Sequence, residues 1–131
     1  MDEVLKFLTE NPTFYFATVD GNTPKVRPFG FVMNYDGKLC FCTNNQKEVY
    51  KQLKANPKFE ACTTSKTGEW MRLLGKAVFI TSRETKKAAL DTAPALRKIY
   101  SEDDTIYEIF YADEAEATFY SMGGTPRTVK L

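Results

Sequence analysis

The sequence contains no histidine among its 131 residues. Histidine is the commonest general base at neutral pH and the commonest metal ligand. Its absence excludes nucleophilic sites of the Ser-His and Cys-His kinds. A catalytic zinc site would need three ligands from cysteines and carboxylates alone, and the sequence shows no such cluster. If the chain carries out chemistry, we therefore expect a cofactor to supply it.

Cysteine, net charge and long apolar runs are also scarce. Cys40, Cys42 and Cys62 are too few and too unevenly spaced for a disulfide framework, and we interpret them as small buried side chains. Eighteen basic against seventeen acidic residues give a formal charge of +1, which argues against general nucleic-acid binding. No apolar run approaches the roughly 20 residues that span a bilayer, and the acidic, amphipathic N-terminus does not resemble a signal peptide. These observations favour a cytoplasmic protein without a nucleic-acid or membrane partner.

The residues that are present predict one mainly β domain over residues 1–131. Hydrophobic residues make up 43% of the chain, which is enough for a real core. Segments rich in β-branched and aromatic residues alternate with turn signals rather than with long helices, so a small antiparallel barrel of about six strands with flanking helices is expected. The predicted helices cover 2–10, 46–55, 83–93 and 94–100. The predicted strands cover 13–19, 25–35 (interrupted at Pro28 and Gly30), 38–43, 58–64, 69–80 and 115–121, with a further aromatic-rich segment at 105–111.

The stretch CTNNQKEVYKQLK reads as a strand end, a polar turn and a helix start. Asn44 or Asn45 suits the N-cap, and Asn45 with Glu48 resembles a capping box. Lys47 falls in the first helical turn, where exposed N–H groups already make the helix end partly positive. Either Lys47 is a solvated side chain at a small cost in stability, or it holds an anion together with the helix start and Thr43.

Arg27 lies among apolar residues of the predicted strand 25–35. It is either a surface-edge residue with a packed stem or part of a charged site. An Asp-Gly hairpin signal makes this strand the antiparallel neighbour of the next one. Pairing outward from that turn places Thr43 near Gly30 and brings Arg27 close to the helix start. Two cations and a helix N-terminus without a carboxylate would repel one another in an empty site, which favours a phosphate-bearing ligand.

Three further residues have two interpretations each. Pro28 and Gly30 either mark a strand edge and a bulge or present open peptide groups to a planar ring. Trp70 is the only tryptophan and precedes Arg72 by two positions on a predicted strand. It is either a core or interface aromatic or a wall against a planar ligand or a partner subunit.

In their order along the chain, these motifs resemble the pyridoxamine 5'-phosphate oxidase-related family, especially its short single-domain bacterial members. The resemblance rests on FATVDGNTPKVRPFGFVMNYDGKLCFCTNNQKEVYKQLKANP, on GEWMRLLGKAVF and on the ending ATFYSMGGTPRTVKL, and it covers nearly the whole chain. It implies a six-stranded antiparallel split β-barrel of the FMN-binding type. It also implies a homodimer with FMN bound in clefts between the subunits.

The resemblance further implies which residues hold FMN. The strand along the isoalloxazine and ribityl groups contributes Arg27, Pro28, Phe29 and Gly30. The turn and helix start that hold the phosphate contribute Thr43, Asn44, Asn45 and Lys47. The partner-side strand that closes the cleft contributes Trp70 and Arg72. No catalytic residue or metal ligand is predicted.

The function expected from this resemblance is that of an FMN-dependent oxidoreductase, which passes electrons from a reduced nicotinamide or another donor to a small-molecule acceptor. The alternatives are a non-catalytic flavin- or haem-binding carrier or sensor, and a structural protein with an empty cleft. The ending MGGTPRTVKL lacks the arginine-rich, histidine-bearing segment that reads the vitamin in the true oxidase, so we do not expect vitamin B6 oxidation. The histidine characteristic of the related nitroimidazole-resistance reductases is absent too.

Overall fold

The computed structural model describes residues 1–131 and is mostly β. Its helices are α1 (Asp2–Glu10), α2 (Glu48–Ala55) and α3 (Arg83–Thr92), and a 3-10 turn follows α3 at Pro94–Lys98. Its strands are β1 (Phe14–Asp20), β2 (Thr23–Phe29), β3 (Met33–Tyr35), β4 (Lys38–Asn44), β5 (Lys58–Thr64), β6 (Trp70–Phe79), β7 (Tyr107–Tyr120) and β8 (Arg127–Lys130). None of the helices combines the length and apolar character that crossing a bilayer requires.

All eight strands belong to one antiparallel sheet in the order β2-β1-β5-β6-β7-β4-β3, with β8 also paired to β7. Strand β7 is long enough to pair with three other strands. It pairs with β6 along one side, while on the other side β4 pairs with residues 107–111 and β8 with residues 116–119. The sheet therefore branches at β7, because β4 and β8 pair with different parts of the same side of this strand.

The two edges of the sheet are joined by the chain itself. β2 and β3 lie at opposite ends of the strand order, yet only residues 30–32 connect them. Such a short link spans at most roughly 14 Å, so the two edges must lie close together. The sheet is therefore rolled into a barrel. Between β2 and β3 the barrel is joined by residues 30–32 and not by a ladder of hydrogen bonds, and we call this gap the split.

Four features differ from the sequence prediction. The segment predicted as a helix over 94–100 is a short 3-10 turn, Pro94–Lys98. The predicted strand 25–35 is broken, so that β2 pairs with β1 while only β3 pairs with β4. The predicted pairing of Thr43 with Gly30 is not formed, because the ladder between β3 and β4 ends at Met33 and Cys40. The two aromatic-rich segments near the C-terminus form one strand, β7, and the tail adds β8. The mainly β, antiparallel split-barrel class itself is confirmed, with eight strands instead of six.

Phenylalanines fill the interior of the rolled sheet. Phe16 stacks between Phe29 and Phe59 with ring centroids 4.4 Å and 4.6 Å away, and Phe41 stacks on Phe110 at 5.4 Å. Each buried phenylalanine contributes about 1.5–3 kcal/mol by leaving water. Because side chains alternate along a strand, these inward residues also decide which residues of the same strands face outward.

The helices cover different parts of the barrel. α1 places Val4 and Leu8 in the aromatic core, and α2 packs against β1 and β4 beside the split. α3 and the 3-10 turn cover a second, smaller cluster on the outside of β3, β4 and β7, whose buried members are Met33, Cys40, Ala89, Leu90, Tyr107 and Ile109.

Candidate functional site

The first turn of α2 has no side-chain cap. Lys47 is the N-cap residue, its backbone is extended, and no side chain accepts a hydrogen bond from the turn that follows it. The N–H groups of that turn therefore remain available to a ligand, and this helix end is partly positive. The Lys47 side chain is exposed and forms no ion pair. The one carboxylate of this turn, Glu48, pairs with Lys51 (3.5 Å), so Lys47 itself has no carboxylate partner.

The two asparagines before α2 are engaged elsewhere, so the predicted capping box is wrong. Nδ2 of Asn45 donates to Oε2 of Glu108 (2.9 Å). Oδ1 of Asn44 accepts the backbone N–H of Gln46 (3.0 Å), and its Nδ2 donates to the Tyr100 hydroxyl (2.7 Å). These bonds fix the turn against the segment that leads into β7 and leave the first turn of α2 open.

Arg27 extends from β2 across the inner side of β1 and reaches α2. Its Nη1 donates to the backbone oxygen of Phe16 (3.1 Å) and to the Thr18 hydroxyl (2.8 Å), and its Nη2 donates to Oε1 of Gln52 (2.7 Å). None of these acceptors is a carboxylate. Partial burial lowers the pKa of Arg27, but a guanidinium stays protonated at any physiological pH. Its positive charge is therefore held without a negative partner.

Arg27 differs in this respect from every other arginine of the chain. Each of the four others is paired with at least one carboxylate: Arg72 with Glu60, Arg83 with Glu102 and Asp103, Arg97 with Asp91 and Glu102, and Arg127 with Glu3.

Arg27 and Lys47 are brought to the same helix. Gln52, which accepts from Arg27, lies one helical turn after Glu48, the first residue of α2. About 6 Å of helical rise separates these two positions. The hairpin register predicted from the sequence does not cause this proximity. Instead, β2 pairs with β1 and α2 packs on β1, so the Arg27 side chain reaches the helix across β1.

Trp70, Arg72 and Pro28 lie on a different surface, the outer face of the sheet. Pro28 opposes Tyr15, Tyr15 opposes Cys62, and Cys62 opposes Arg72, so the side chains of these positions share one face. Trp70 stacks on Tyr120 with ring centroids 5.1 Å apart and planes at 6°.

This outer face remains open. Tyr15 is 52% exposed, Val26 is 67% exposed and Leu74 is 45% exposed. We call the surface formed by Tyr15, Val26, Pro28, Trp70, Arg72 and Leu74 the outer apolar face.

Comparison with known proteins shows the family. The sequence model described as pyridoxamine 5'-phosphate oxidase matches residues 1–122. The chain belongs to the pyridoxamine 5'-phosphate oxidase-like family. The sequence-based assignment to this family is thereby confirmed. No curated protein matches the chain.

Several solved structures have the same fold. A NimC/NimA family protein from Clostridium acetobutylicum is 42% identical, with a TM-score of 0.96 over 100% of this chain and 92% of its own. General Stress Protein 26 from Bacillus anthracis is 15% identical, with a TM-score of 0.77 over 98% of this chain and 97% of its own. A heme binding protein from Mycobacterium smegmatis is 14% identical, with a TM-score of 0.73 over 92% of this chain and 53% of its own.

Asn44 and Asn45 lie directly before α2, and the remaining uncharged positions that family resemblance assigned to the cofactor are placed differently. Phe29 faces inward and stacks on Phe16, so it belongs to the core. Gly30 begins the link across the split, and its surroundings leave space for a larger side chain. Thr43 is buried on β4, one residue before the asparagine turn. Of the charged positions in the predicted set, Arg27 and Lys47 therefore lie at α2, and Arg72 lies on the outer face.

Two residues beside Arg27 were missed at the level of sequence. Thr18 and Gln52 are buried polar side chains that accept hydrogen bonds from Arg27. Gln52 had a signal: it lies between Val49 and Leu53 on the buried side of α2, where a polar residue needs a partner. Thr18 had none, because threonine is common in strands.

The thiols are not available as nucleophiles. Burial raises the pKa of Cys40 and of Cys42 to about 11, and burial also raises the pKa of Cys62. All three therefore remain protonated at neutral pH, whereas nucleophilic attack needs the thiolate.

A cavity of about 340 Å³ lies elsewhere, between α1 and the end of β7. Arg127 crosses it, paired with Glu3 and lying over the Phe119 ring at 4.8 Å. Tyr120, the stacking partner of Trp70, forms part of its wall. Tyr120 thus borders both this cavity and the outer apolar face, and no residue of the α2 start lines the cavity.

Proposed function

We propose that the chain binds FMN, with the phosphate at the start of α2. The observation that carries the proposal is that Arg27 and Lys47 lack a carboxylate partner, whereas the other arginines are paired. A phosphate monoester needs positive charge and N–H donors, and a helix start with two unneutralised cations supplies both. The donor set therefore fits this cofactor, and the family to which the chain belongs supports the choice.

A homodimer is part of the same proposal. In one copy, Trp70 and Arg72 lie on the outer apolar face, away from Arg27 and Lys47. A second copy packed on this face would bury its exposed aromatic and aliphatic side chains and bring its own Trp70 to the cofactor. The FMN cleft would then be complete only between two chains.

In this proposal the protein is an oxidoreductase, and bound FMN supplies the electron transfer between a reduced nicotinamide or another donor and a small acceptor. Lys47 and Arg27 neutralise the phosphate, and open peptide groups near Gly30 orient the ring. The outer apolar face excludes water from the cleft. No side chain of this chain is assigned a proton-transfer role.

The first test is direct. The freshly purified protein should show flavin absorbance or acquire it on addition of FMN, and light scattering at micromolar concentration should give a dimer. Lys47→Glu should weaken FMN binding by about tenfold or more, because an attraction becomes a repulsion. Lys58→Glu, which makes the same charge change at an exposed position beyond the other end of α2, should not. A protein that neither contains nor binds FMN, or that remains monomeric, contradicts the proposal.

The alternative is a flavin- or haem-binding carrier or sensor that does not turn over. The protonated thiols and the lack of histidine favour it, because the chain has few groups that move protons. Steady-state turnover with NADH or NADPH separates the two. Bound FMN that is reduced and then reoxidised by a small acceptor supports the oxidoreductase, and bound FMN that no nicotinamide reduces supports the carrier.

A further inference from the structure

The acceptors that hold Arg27 are themselves buried and neutral. Thr18 is 2% exposed and Gln52 is 7% exposed. The Thr18 hydroxyl donates to Oε1 of Gln52 (2.5 Å), and the same oxygen accepts Nη2 of Arg27 (2.7 Å). The three side chains come from β1, α2 and β2, so the group joins three elements at the split of the barrel.

The neutrality of this group has an electrostatic consequence. A carboxylate at position 52 could accept the same hydrogen bonds, but it would also cancel the charge of Arg27. An amide and a hydroxyl fix the direction of the guanidinium and leave its charge uncompensated. Holding a half-buried charge in this way costs stability, because burial disfavours the charged form. A purely structural ion pair, such as that of Arg97, avoids this cost.

Arg27 also keeps unused donors. A guanidinium has five N–H groups, and the bonds to Phe16, Thr18 and Gln52 use only three of them. The remaining donors have a fixed direction because the guanidinium is planar and held at both terminal nitrogens.

We propose that Thr18 and Gln52 are positioning residues that present Arg27, fully charged, to a phosphate monoester, so that the site selects the phosphorylated form of its flavin. The inference rests on the proposed function and adds to it the residues that set this selectivity. Thr18 and Gln52 act through Arg27 and need not touch the ligand. The expected signature is a change in the preference for FMN over riboflavin, which differ only in the phosphate.

The test uses the full-length chain. It measures the dissociation constants of FMN and riboflavin by fluorescence titration and, separately, the melting temperature of the ligand-free protein. Gln52→Glu is nearly isosteric and keeps the hydrogen bonds while it adds a negative charge beside Arg27. We expect FMN binding to weaken by at least roughly tenfold, riboflavin binding to stay unchanged and the ligand-free melting temperature to stay the same or rise. Asn34→Asp is the matched control. It adds the same charge at the β3–β4 turn, where Oδ1 accepts the Gly37 N–H in either form, and it should leave both constants unchanged.

Thr18→Val gives an independent check, because it removes one acceptor of Arg27 without adding charge. It should reduce the FMN preference by a smaller factor and leave riboflavin binding unchanged. The inference is overturned if Gln52→Glu binds FMN as tightly as the wild type. It is also overturned if both flavins weaken together with a lower melting temperature, since that result shows a structural role only. A wild type that does not prefer FMN to riboflavin lacks the phosphate site itself, and the proposed function then fails with the inference.

Discussion

The start of α2 and the region around α3 both contain several cations, but they neutralise them differently. Around α3, Arg83 and Arg97 are joined to Asp91, Glu102 and Asp103 in a continuous set of ion pairs at the surface. At α2, Arg27 and Lys47 have no carboxylate partner, and Arg27 is bound by neutral acceptors instead.

The difference separates structural charges from charges available to a ligand. Ion pairs such as those around α3 are exposed and solvated, and they can form wherever opposite charges are close. A cation that is half-buried and held by neutral groups is stable only because other parts of the fold support it. The chain therefore uses its arginines in two ways, and Arg27 is the one arginine without a carboxylate partner, although lysines such as Lys86 on α3 are also held by neutral acceptors.

The strongest test of this comparison removes one arginine from each region. Arg27→Ala should weaken FMN binding by about 10- to 100-fold, because a charge-assisted hydrogen bond is worth roughly 1.5–3 kcal/mol. Arg97→Ala removes the same charge from the α3 region and should leave FMN affinity unchanged. Titration of FMN into both variants measures the contrast. Equal losses in the two variants would mean that only net charge matters, and the distinction between the regions would be lost.

A smaller effect is expected when the ion pairs of the α3 region are titrated with acid. Hydrogen bonds from Lys87 and Arg97 lower the pKa of Asp91, and a hydrogen bond from Arg97 lowers the pKa of Glu102. Because both folded-state pKa values are lowered, these pairs stabilise the fold above the ordinary carboxyl pKa of about 4, and this stability is lost as the pH falls below it.

The melting temperature of the wild type should accordingly fall more steeply below about pH 4 than that of Arg97→Ala. Thermal melts of both proteins between neutral and acid pH measure the difference in slope. Parallel curves would show that the ion pairs of Arg97 add nothing to stability.

The smallest effect is expected for Tyr107, a buried polar group in the cluster beneath α3. Its hydroxyl has no hydrogen-bond partner, in contrast to the doubly engaged oxygen of Gln52, and its nearest polar neighbour is the weakly accepting Cys42 thiol. Tyr107→Phe should therefore change the free energy of unfolding by less than about 1 kcal/mol or increase it. Urea unfolding provides the measurement. A loss above about 2 kcal/mol would show that the hydroxyl is engaged after all.

Local patterns were sufficient to predict most elements of the fold. The three helices and the strands β1, β4, β5 and β6 begin and end within about two residues of the prediction, because helical spacing, alternation and turn residues are local signals. The interruption of residues 25–35 at Pro28 and Gly30 was predicted, but the placement of the two pieces at opposite edges of the sheet was not. Only the rolling of the sheet assigns β2 and β3 to these edges.

The candidate site was predicted in part. Lys47 and Arg27 were selected from charge and position, and the structure brings both to α2. The proposed contacts of Asn44, Asn45, Trp70 and the remaining positions with FMN stay predictions. Hydrogen bonds such as Arg27 to Gln52 join residues 25 positions apart, and no local pattern reports them.

The sequence by itself determined the family, the mainly β class, the location of the turns and the lack of histidine chemistry, because each depends on residue identity or on short-range order. Only the tertiary structure decided which cations remain unpaired, that Thr18 and Gln52 hold Arg27, and that the outer apolar face lies open. These properties depend on which distant segments meet when the sheet rolls up. The physical reason is that pairing and burial are relations between side chains in space, and the rolled sheet brings together strands that the chain order keeps apart.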